Sequence, residues 1–354
     1  MEITPDFIHP SFCLNGISLN AESLWSVAYS FIKEGEEYQK HIGLFILDWL
    51  DGNDFVPMQT SGTTGTPKPI RVSKQAMVQS ALATGAYFDL PAGTRALHCL
   101  PAQFVAGKMM LVRAILLGWH IDVTAPASRP LDNCKGNYDF SALVPLQAEA
   151  SLSELHRVKK TILGGAKVGP ELSRQLQELP VNVYETYGMT ETVTHIAAKK
   201  VGQPAFETLP GVTVEADDRN CLVINAPRVA DKPVVTNDVV EVLGENRFVW
   251  LGRVDNVINS GGIKLHPEQI EEKLAAILNN RRYFITTVPD DVLGNKLVLV
   301  IEGEPFTIAT KQFDVLGRYE KPKEIYFVKQ FTETGSGKIR RTETLNIALN
   351  KNEG

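Results

Sequence analysis

The chain is 354 residues long, with 44% hydrophobic and 22% charged residues and a formal net charge of −5. That length is large for one core and predicts two domains, with enough apolar residues to bury both. The negative balance leaves no footprint for nucleic acid, and no apolar run nears the ~18 residues of a membrane helix. Four cysteines (Cys13, Cys99, Cys134 and Cys221) lie far apart with no Cys-x-x-Cys pair, which disfavours a zinc site and suits reduced thiols. The opening residues, MEITPDFIHP, lack the charged-then-apolar pattern of a leader. The expectation is a soluble cytoplasmic protein.

In chain order, FVPMQT reads as a strand, SGTTGT as a loop, and PKPIRVS as a strand leading into a helix from Lys74. Further on, RALHCLP is strand-like, GKMMLVRAILLG is a helix with a glycine stop, and WHIDVTAP is strand-like again. KKTILGGA, PELSRQLQEL and VNVYETYG then continue the alternation as strand, helix and strand. Such alternation predicts βαβ units and a mostly parallel sheet. After Ala197 the texture changes. GVTVEA and CLVINAP flank Asp217-Asp218-Arg219-Asn220, a turn sequence that predicts a hairpin. PVVTNDVVEVL and RFVWLGR extend this β-rich section, and from Arg253 a small α+β unit is expected, with a helix over 267–278.

The stretch QTSGTTGTPKPI, Gln59 to Ile70, has almost nothing to bury. Its small residues expose successive amides, its hydroxyls add donors, and Lys68 adds a charge, which together suit a polyphosphate. It is not a Walker A loop, because Lys68 stands three residues beyond Gly65 with Pro67 between.

TSGTTGTPK resembles the phosphate loop of the adenylate-forming superfamily, and four further stretches match that superfamily in the same order. YETYGMTET (Tyr184 to Thr192) resembles its Tyr-Gly-x-Thr-Glu motif, and VVTND the segment ending in its ribose-binding aspartate. WLGRVDNVINSGGIKLHPEQIE resembles the inter-domain hinge motif, and TETGSGKIRR the C-terminal lysine motif. The resemblance implies the superfamily's α/β fold: a large AMP-binding domain (1–252) and a small mobile α+β lid (253–354). Only 58 residues precede Gln59, so the first subdomain is expected to be reduced, and the coenzyme A entrance is left unassigned.

In that superfamily a carboxylate attacks the α-phosphorus of ATP, pyrophosphate leaves, and a thiol such as coenzyme A displaces AMP from the acyl adenylate. An anion meeting an anion needs charge neutralisation and alignment above all. By resemblance, Thr60, Ser61, Gly62, Thr63, Thr64 and Lys68 hold the β- and γ-phosphates. Glu191 holds Mg²⁺, for which carboxylate oxygen is the natural ligand, and Thr190 donates to the α-phosphate. Tyr187 and Gly188 border adenine, and Gly164, Gly165 and Ala166 let ligand approach backbone closely. Asp238 accepts both ribose hydroxyls, Arg253 reaches ribose or phosphate, Lys338 stabilises the transition state, and Asp255 is the hinge. Taken alone, Tyr187 also reads as a core aromatic, and Asp238 as a turn cap. The family's adenine-side asparagine is Glu185 here.

LVPLQ, KTILGGA and PAQFVAGKMMLVRAILLG resemble the o-succinylbenzoate–CoA ligases of menaquinone biosynthesis, although their His-Val-Ser-Gly reads Phe104-Val105-Ala106-Gly107 here. That acid carries a second carboxylate. Lys108 is the first candidate to hold it, Arg113 the reserve, and Thr194 and His195 are candidates to line the same pocket. Two alternatives stay open: an adenylating enzyme that loads a carrier-protein thiol, and a non-catalytic nucleotide-binding regulator.

Overall fold

The computed structural model describes residues 3–59, 69–134, 136–278, 281–333 and 339–352. The phosphate-loop residues Thr60, Ser61, Gly62, Thr63, Thr64 and Lys68, and the C-terminal Lys338, lie outside them.

Five parallel strands form the middle of a 13-stranded sheet, in the order His120–Val123, Arg95–His98, Tyr138–Leu143, Val158–Leu163, Asn182–Gly188. At Asn182–Gly188 the pairing changes. His195–Lys200 runs antiparallel beside it, followed by Ala205–Thr208, Arg247–Arg253, Val234–Gly244, Cys221–Asn225 and Thr213–Ala216. The expected hairpin is the last pair, and Asn220 takes φ 60° in its turn, a conformation asparagine tolerates.

One face of the parallel section packs under the helices Lys74–Tyr87 and Val105–Leu117, where Met77, Ala81, Met109 and Val112 meet Ala96, Phe140 and Ile162. Ten of the thirteen residues of the second of these helices are buried, as expected for a helix within a large core, and Lys108 and Arg113 are its charged members. It stops at Gly118, which takes φ 71° and returns its N–H to Ala114. The opposite face is covered by Pro170–Gln177 through Leu172 and Leu176. Two N-terminal helices, Ala21–Glu34 and Glu37–Leu50, join the first layer through Leu24, Ala28, Phe45 and Trp49.

The large sheet ends at Arg253. Beyond a short turn at Val254–Asn256, residues from Ile258 onward build their own cores around a three-stranded sheet, Tyr283–Asp290, Gly294–Glu302 and Glu324–Val328. The helix Pro267–Leu278 packs on that sheet through Ile270, Leu274 and Leu278.

His98 shares the face of Ala96 by strand alternation, is 1% exposed, and neither ring nitrogen has a partner among the described residues. Burial pushes it down to about 4 from an ordinary 6.5, so it is neutral near pH 7. The unfolded chain takes up a proton at that residue as pH falls below 6.5, before the folded chain does. Stability is therefore complete above 6.5 and lost as pH falls toward 4, at about 1.4 kcal/mol per pH unit for one proton. Urea unfolding at a series of pH values is expected to show this slope, and His98→Leu to flatten it by that one proton.

Candidate active site

Turns at the carboxyl edge of a parallel sheet are where α/β folds bind ligands, because backbone N–H groups and loop side chains converge there. Two such turns adjoin here. After Val158–Leu163 come Gly164, Gly165 and Ala166; Gly165 has φ 85°, and the Gly164 N–H reaches the Leu143 carbonyl at 3.2 Å. Thr186 Oγ1 donates to the Leu163 carbonyl at 2.9 Å and ties this turn to the next strand.

After Asn182–Gly188 the chain makes a 3₁₀ turn over Thr190–Thr192. Thr192 organises it: its hydroxyl accepts from the Met189 N–H at 3.1 Å and donates to the Thr194 carbonyl at 2.8 Å. The buried Val193 is held at φ 65°, a strained value for a β-branched residue that the surrounding contacts must enforce. This conformation leaves the Glu191 side chain exposed on the turn with Thr190 beside it.

The glycine turn opens, through Gly165 and Ala166, on a cleft of about 630 Å³ that is also lined by Tyr187, Gly188, Asp238 and Trp250. Asp238 is 7% exposed. Its Oδ2 accepts from the Tyr187 hydroxyl at 2.7 Å, its Oδ1 accepts from Trp250 Nε1 at 3.1 Å, and Arg253 Nη1 stands 3.7 Å from Oδ1. Burial and the Asp238 charge push the Tyr187 phenol well above its ordinary range, so it remains a donor. Tyr187 also meets Phe248 edge-on at 5.3 Å, so it is at once a core aromatic and a wall of the cleft. Arg253 reaches outward as well, 3.4 Å from Asp255 in the turn that joins the two units.

Glu185 lines the same cleft. It pairs at 3.2 Å with Lys199, directly opposite on the antiparallel strand, and Lys199 lies over the Phe206 ring. Sequence reasoning noted the departure at Glu185 but had no signal for its partner, which only the strand register supplies.

The proposed acid-pocket residues separate. Lys108 and Arg113 are five apart on one helix, about 140° round its axis, so they cannot share a face. Lys108 turns toward the N-terminal helices, where its Nζ donates to the Pro57 carbonyl at 2.9 Å and sits 5.6 Å over the Phe45 ring. Burial lowers its pKa, with Asp48 opposing. Arg113 is 1% exposed, and its Nε and Nη2 have no hydrogen-bond partner among the described residues. Its one contact of that kind among the described residues is from Nη1 to Met110 Sδ at 3.8 Å, and burial lowers its pKa to about 9. His195 is buried close enough for Arg113 to depress its pKa further, after burial itself. Its Nε2 lies 3.3 Å from Thr84 Oγ1, which is also within 2.9 Å of the Ser80 carbonyl. Thr194 contributes its carbonyl to the Thr192 hydroxyl.

This arrangement of edge turns, cleft and separate small domain is that of the AMP-forming acid–CoA ligases, a class that uses ATP, Mg²⁺ and coenzyme A. The AMP-binding enzyme family matches residues 32–226, more than half of the chain, and the chain belongs to that family. Among solved structures it is 37% identical to an acyl-CoA synthetase (AMP-forming)/AMP-acid ligase II-like protein from Dyadobacter fermentans (TM-score 0.61), a likeness covering 91% of this chain and 98% of that one. The o-succinylbenzoate coenzyme A synthetase of Bacillus subtilis, in complex with ATP and magnesium ion, is 18% identical and shares the fold. Its TM-score is 0.69, with 82% of this chain and 69% of that one covered. Among curated proteins, the 2-succinylbenzoate–CoA ligase of Enterococcus faecalis is 26% identical over 329 residues. The match takes in 80% of this chain and 67% of that protein, so the chain spans about two thirds of that relative's length. Among the described residues no helix is long and apolar enough to cross a membrane.

Gly188 is where the second turn depends on one residue type. A Cβ there would lie 2.3 Å from the Thr194 carbonyl oxygen and 2.4 Å from the His195 Cα. Gly188→Ala is expected to force the Thr190–Thr192 turn outward. The measured outcome is a loss of ATP binding by calorimetry of at least about tenfold, with a melting temperature a few degrees lower.

Proposed function

We propose that the chain activates o-succinylbenzoate with ATP and transfers it to coenzyme A. The observation that carries the choice of acid is the guanidinium of Arg113, closed inside the core with two N–H-bearing nitrogens unpartnered among the described residues. A buried cation without a partner is costly, and a carboxylate is the group that matches its fork. An acid with one carboxylate to activate and a second to be held fits that need. The names of the curated relatives point to the same acid. Arg113 takes this role in preference to Lys108, whose ammonium is committed to Pro57. His195, near enough to feel the Arg113 charge, is taken as lining the same pocket, and Thr194 with it.

For the nucleotide, the reading places adenine between the Gly164–Gly165–Ala166 turn and Tyr187–Gly188. Asp238 takes the ribose hydroxyls, with Arg253 at its side. The cleft fits an adenosine: it is open at the glycines, walled by an aromatic, and carries a carboxylate whose two bound donors leave lone pairs free. Thr190 addresses the α-phosphate. Glu191, exposed on its turn, offers hard oxygen for Mg²⁺, which when bound supplies positive charge between the phosphates. Thr60, Ser61, Gly62, Thr63, Thr64 and Lys68 hold the outer phosphates. Lys338 comes from the lid (253–354) to the large domain (1–252), and Asp255 is the point about which the lid turns.

With o-succinylbenzoate present, labelled pyrophosphate is expected to exchange into ATP. Lys68→Ala and Glu191→Ala should each lower that exchange at least about tenfold. Release of ADP and phosphate instead of AMP and pyrophosphate would sink the reading.

The acid itself is tested with a pair of substrates, o-succinylbenzoate and an analogue with hydrogen in place of the ring carboxylate. Arg113→Met should cut kcat/KM for the first by on the order of a hundredfold and leave the second nearly unchanged. Lys108→Met should not alter the preference between them. Equal loss on both substrates in Arg113→Met would remove the guanidinium as the reader of that carboxylate.

A further inference from the structure

Trp250 touches the ribose side of the cleft and the small domain at once, and no role described so far uses it. Its indole N–H donates to Asp238 Oδ1 at 3.1 Å. Its backbone carbonyl accepts from Gln269 Nε2 at 3.3 Å, with the Leu251 carbonyl beside it at 3.4 Å. Over its ring, at 5.7 Å, stands the ammonium of Lys167, which pairs at 2.9 Å with Glu272. Gln269 and Glu272 belong to the helix Pro267–Leu278 of the small domain, while Lys167 directly follows the Gly164–Gly165–Ala166 turn of the large one. A continuous set of contacts thus runs from the small-domain helix, through the tryptophan, to the carboxylate.

We propose that Trp250 is a positioning residue: its N–H fixes the plane of the Asp238 carboxylate for ribose, and Gln269, Lys167 and Glu272 tie that orientation to the seating of the small-domain helix. This rests on the reading of Asp238 as the ribose acceptor.

A carboxylate has about four lone-pair sites. Tyr187 occupies one on Oδ2 and Trp250 one on Oδ1, so each oxygen keeps one for a ribose hydroxyl. Two donors on two different oxygens also fix the plane. The terminal torsion of aspartate is broad, and with one donor removed it is free to turn. Indole is suited to this work because it donates and cannot accept, so it never competes with the carboxylate for the ribose protons. The Lys167–Glu272 pair is half-exposed and adds little stability. Its effect is geometric, because it holds a cation over the indole face only while the helix Pro267–Leu278 is seated against this cleft.

The test uses the full chain in pyrophosphate exchange with ATP and with 2′-deoxy-ATP, which lacks one of the two hydroxyls. Trp250→Phe keeps an aromatic ring and loses the donor. The expected result is about a tenfold rise in KM for ATP, a much smaller change for 2′-deoxy-ATP, and kcat within about twofold of the parent. Lys167→Met and Glu272→Gln should move the same ratio in the same direction by about two- to threefold, and adding either to Trp250→Phe should move it no further. Equal effects of Trp250→Phe on both nucleotides, or no effect on either, overturn the proposal. Should that variant not fold, the two surface variants decide: an unchanged ratio in both overturns it. Asp238→Asn separates the two readings. A parental ratio in that variant means that Asp238 does not read ribose, and the role of Trp250 falls with it.

Discussion

The change from parallel to antiparallel pairing at the strand Asn182–Gly188 is the constraint on which the candidate site depends. A parallel strand ends where its neighbours end, so the glycine turn after Leu163 and the Thr190–Thr192 turn come out side by side. An antiparallel neighbour runs back along the same strand and delivers its own partners in register. Lys199 thereby meets Glu185, and further along the sheet Asp238 meets both Tyr187 and Trp250. One sheet thus supplies both the open edge and the side-chain cluster to which the proposed reading assigns phosphate and sugar. The core beneath is close-packed on both faces, which holds these groups to fixed spacings without help from ligand.

The buried polar groups divide by whether they are partnered. Asp238 has a donor on each oxygen, and Thr192 ties both ends of its turn. His98 and Arg113 are the contrary case, with nitrogens that find nothing among the described residues. For His98 the resolution is loss of charge, since an imidazole titrates within reach of neutral pH. Arginine has no such exit near neutrality, which is why its isolation points to a ligand while that of His98 points to acid sensitivity.

Much of this was legible in the sequence, for local reasons. The strand–helix alternation, the glycine stop at Gly118, the turn at Asp217–Asn220 and the helix at Pro267 all follow from nearby residue chemistry, and the structure shows each. Five motifs in order gave the family. What stayed hidden depends on which face of an element is covered. On paper Lys108 stands first and Arg113 in reserve, and only the packing of their helix against the sheet, with the N-terminal helices on its other side, shows how their surroundings differ. The pairing of Glu185 with Lys199 needed strand register. Trp250 needed a partner twelve residues away on the neighbouring strand and others on a helix of the next unit. The hinge motif that begins at Trp250 marks the stretch and not this role.

The isolated guanidinium of Arg113 also has a thermodynamic meaning for the unliganded molecule. A core closed over a lone cation is less stable than the same core with an anion seated against it, so whatever neutralises Arg113 strengthens the fold as it binds. On the proposed reading of Arg113, the acid would be both the reactant and the counter-ion of the interior, and a turnover that carried it away as a thioester would return the protein to its weaker form.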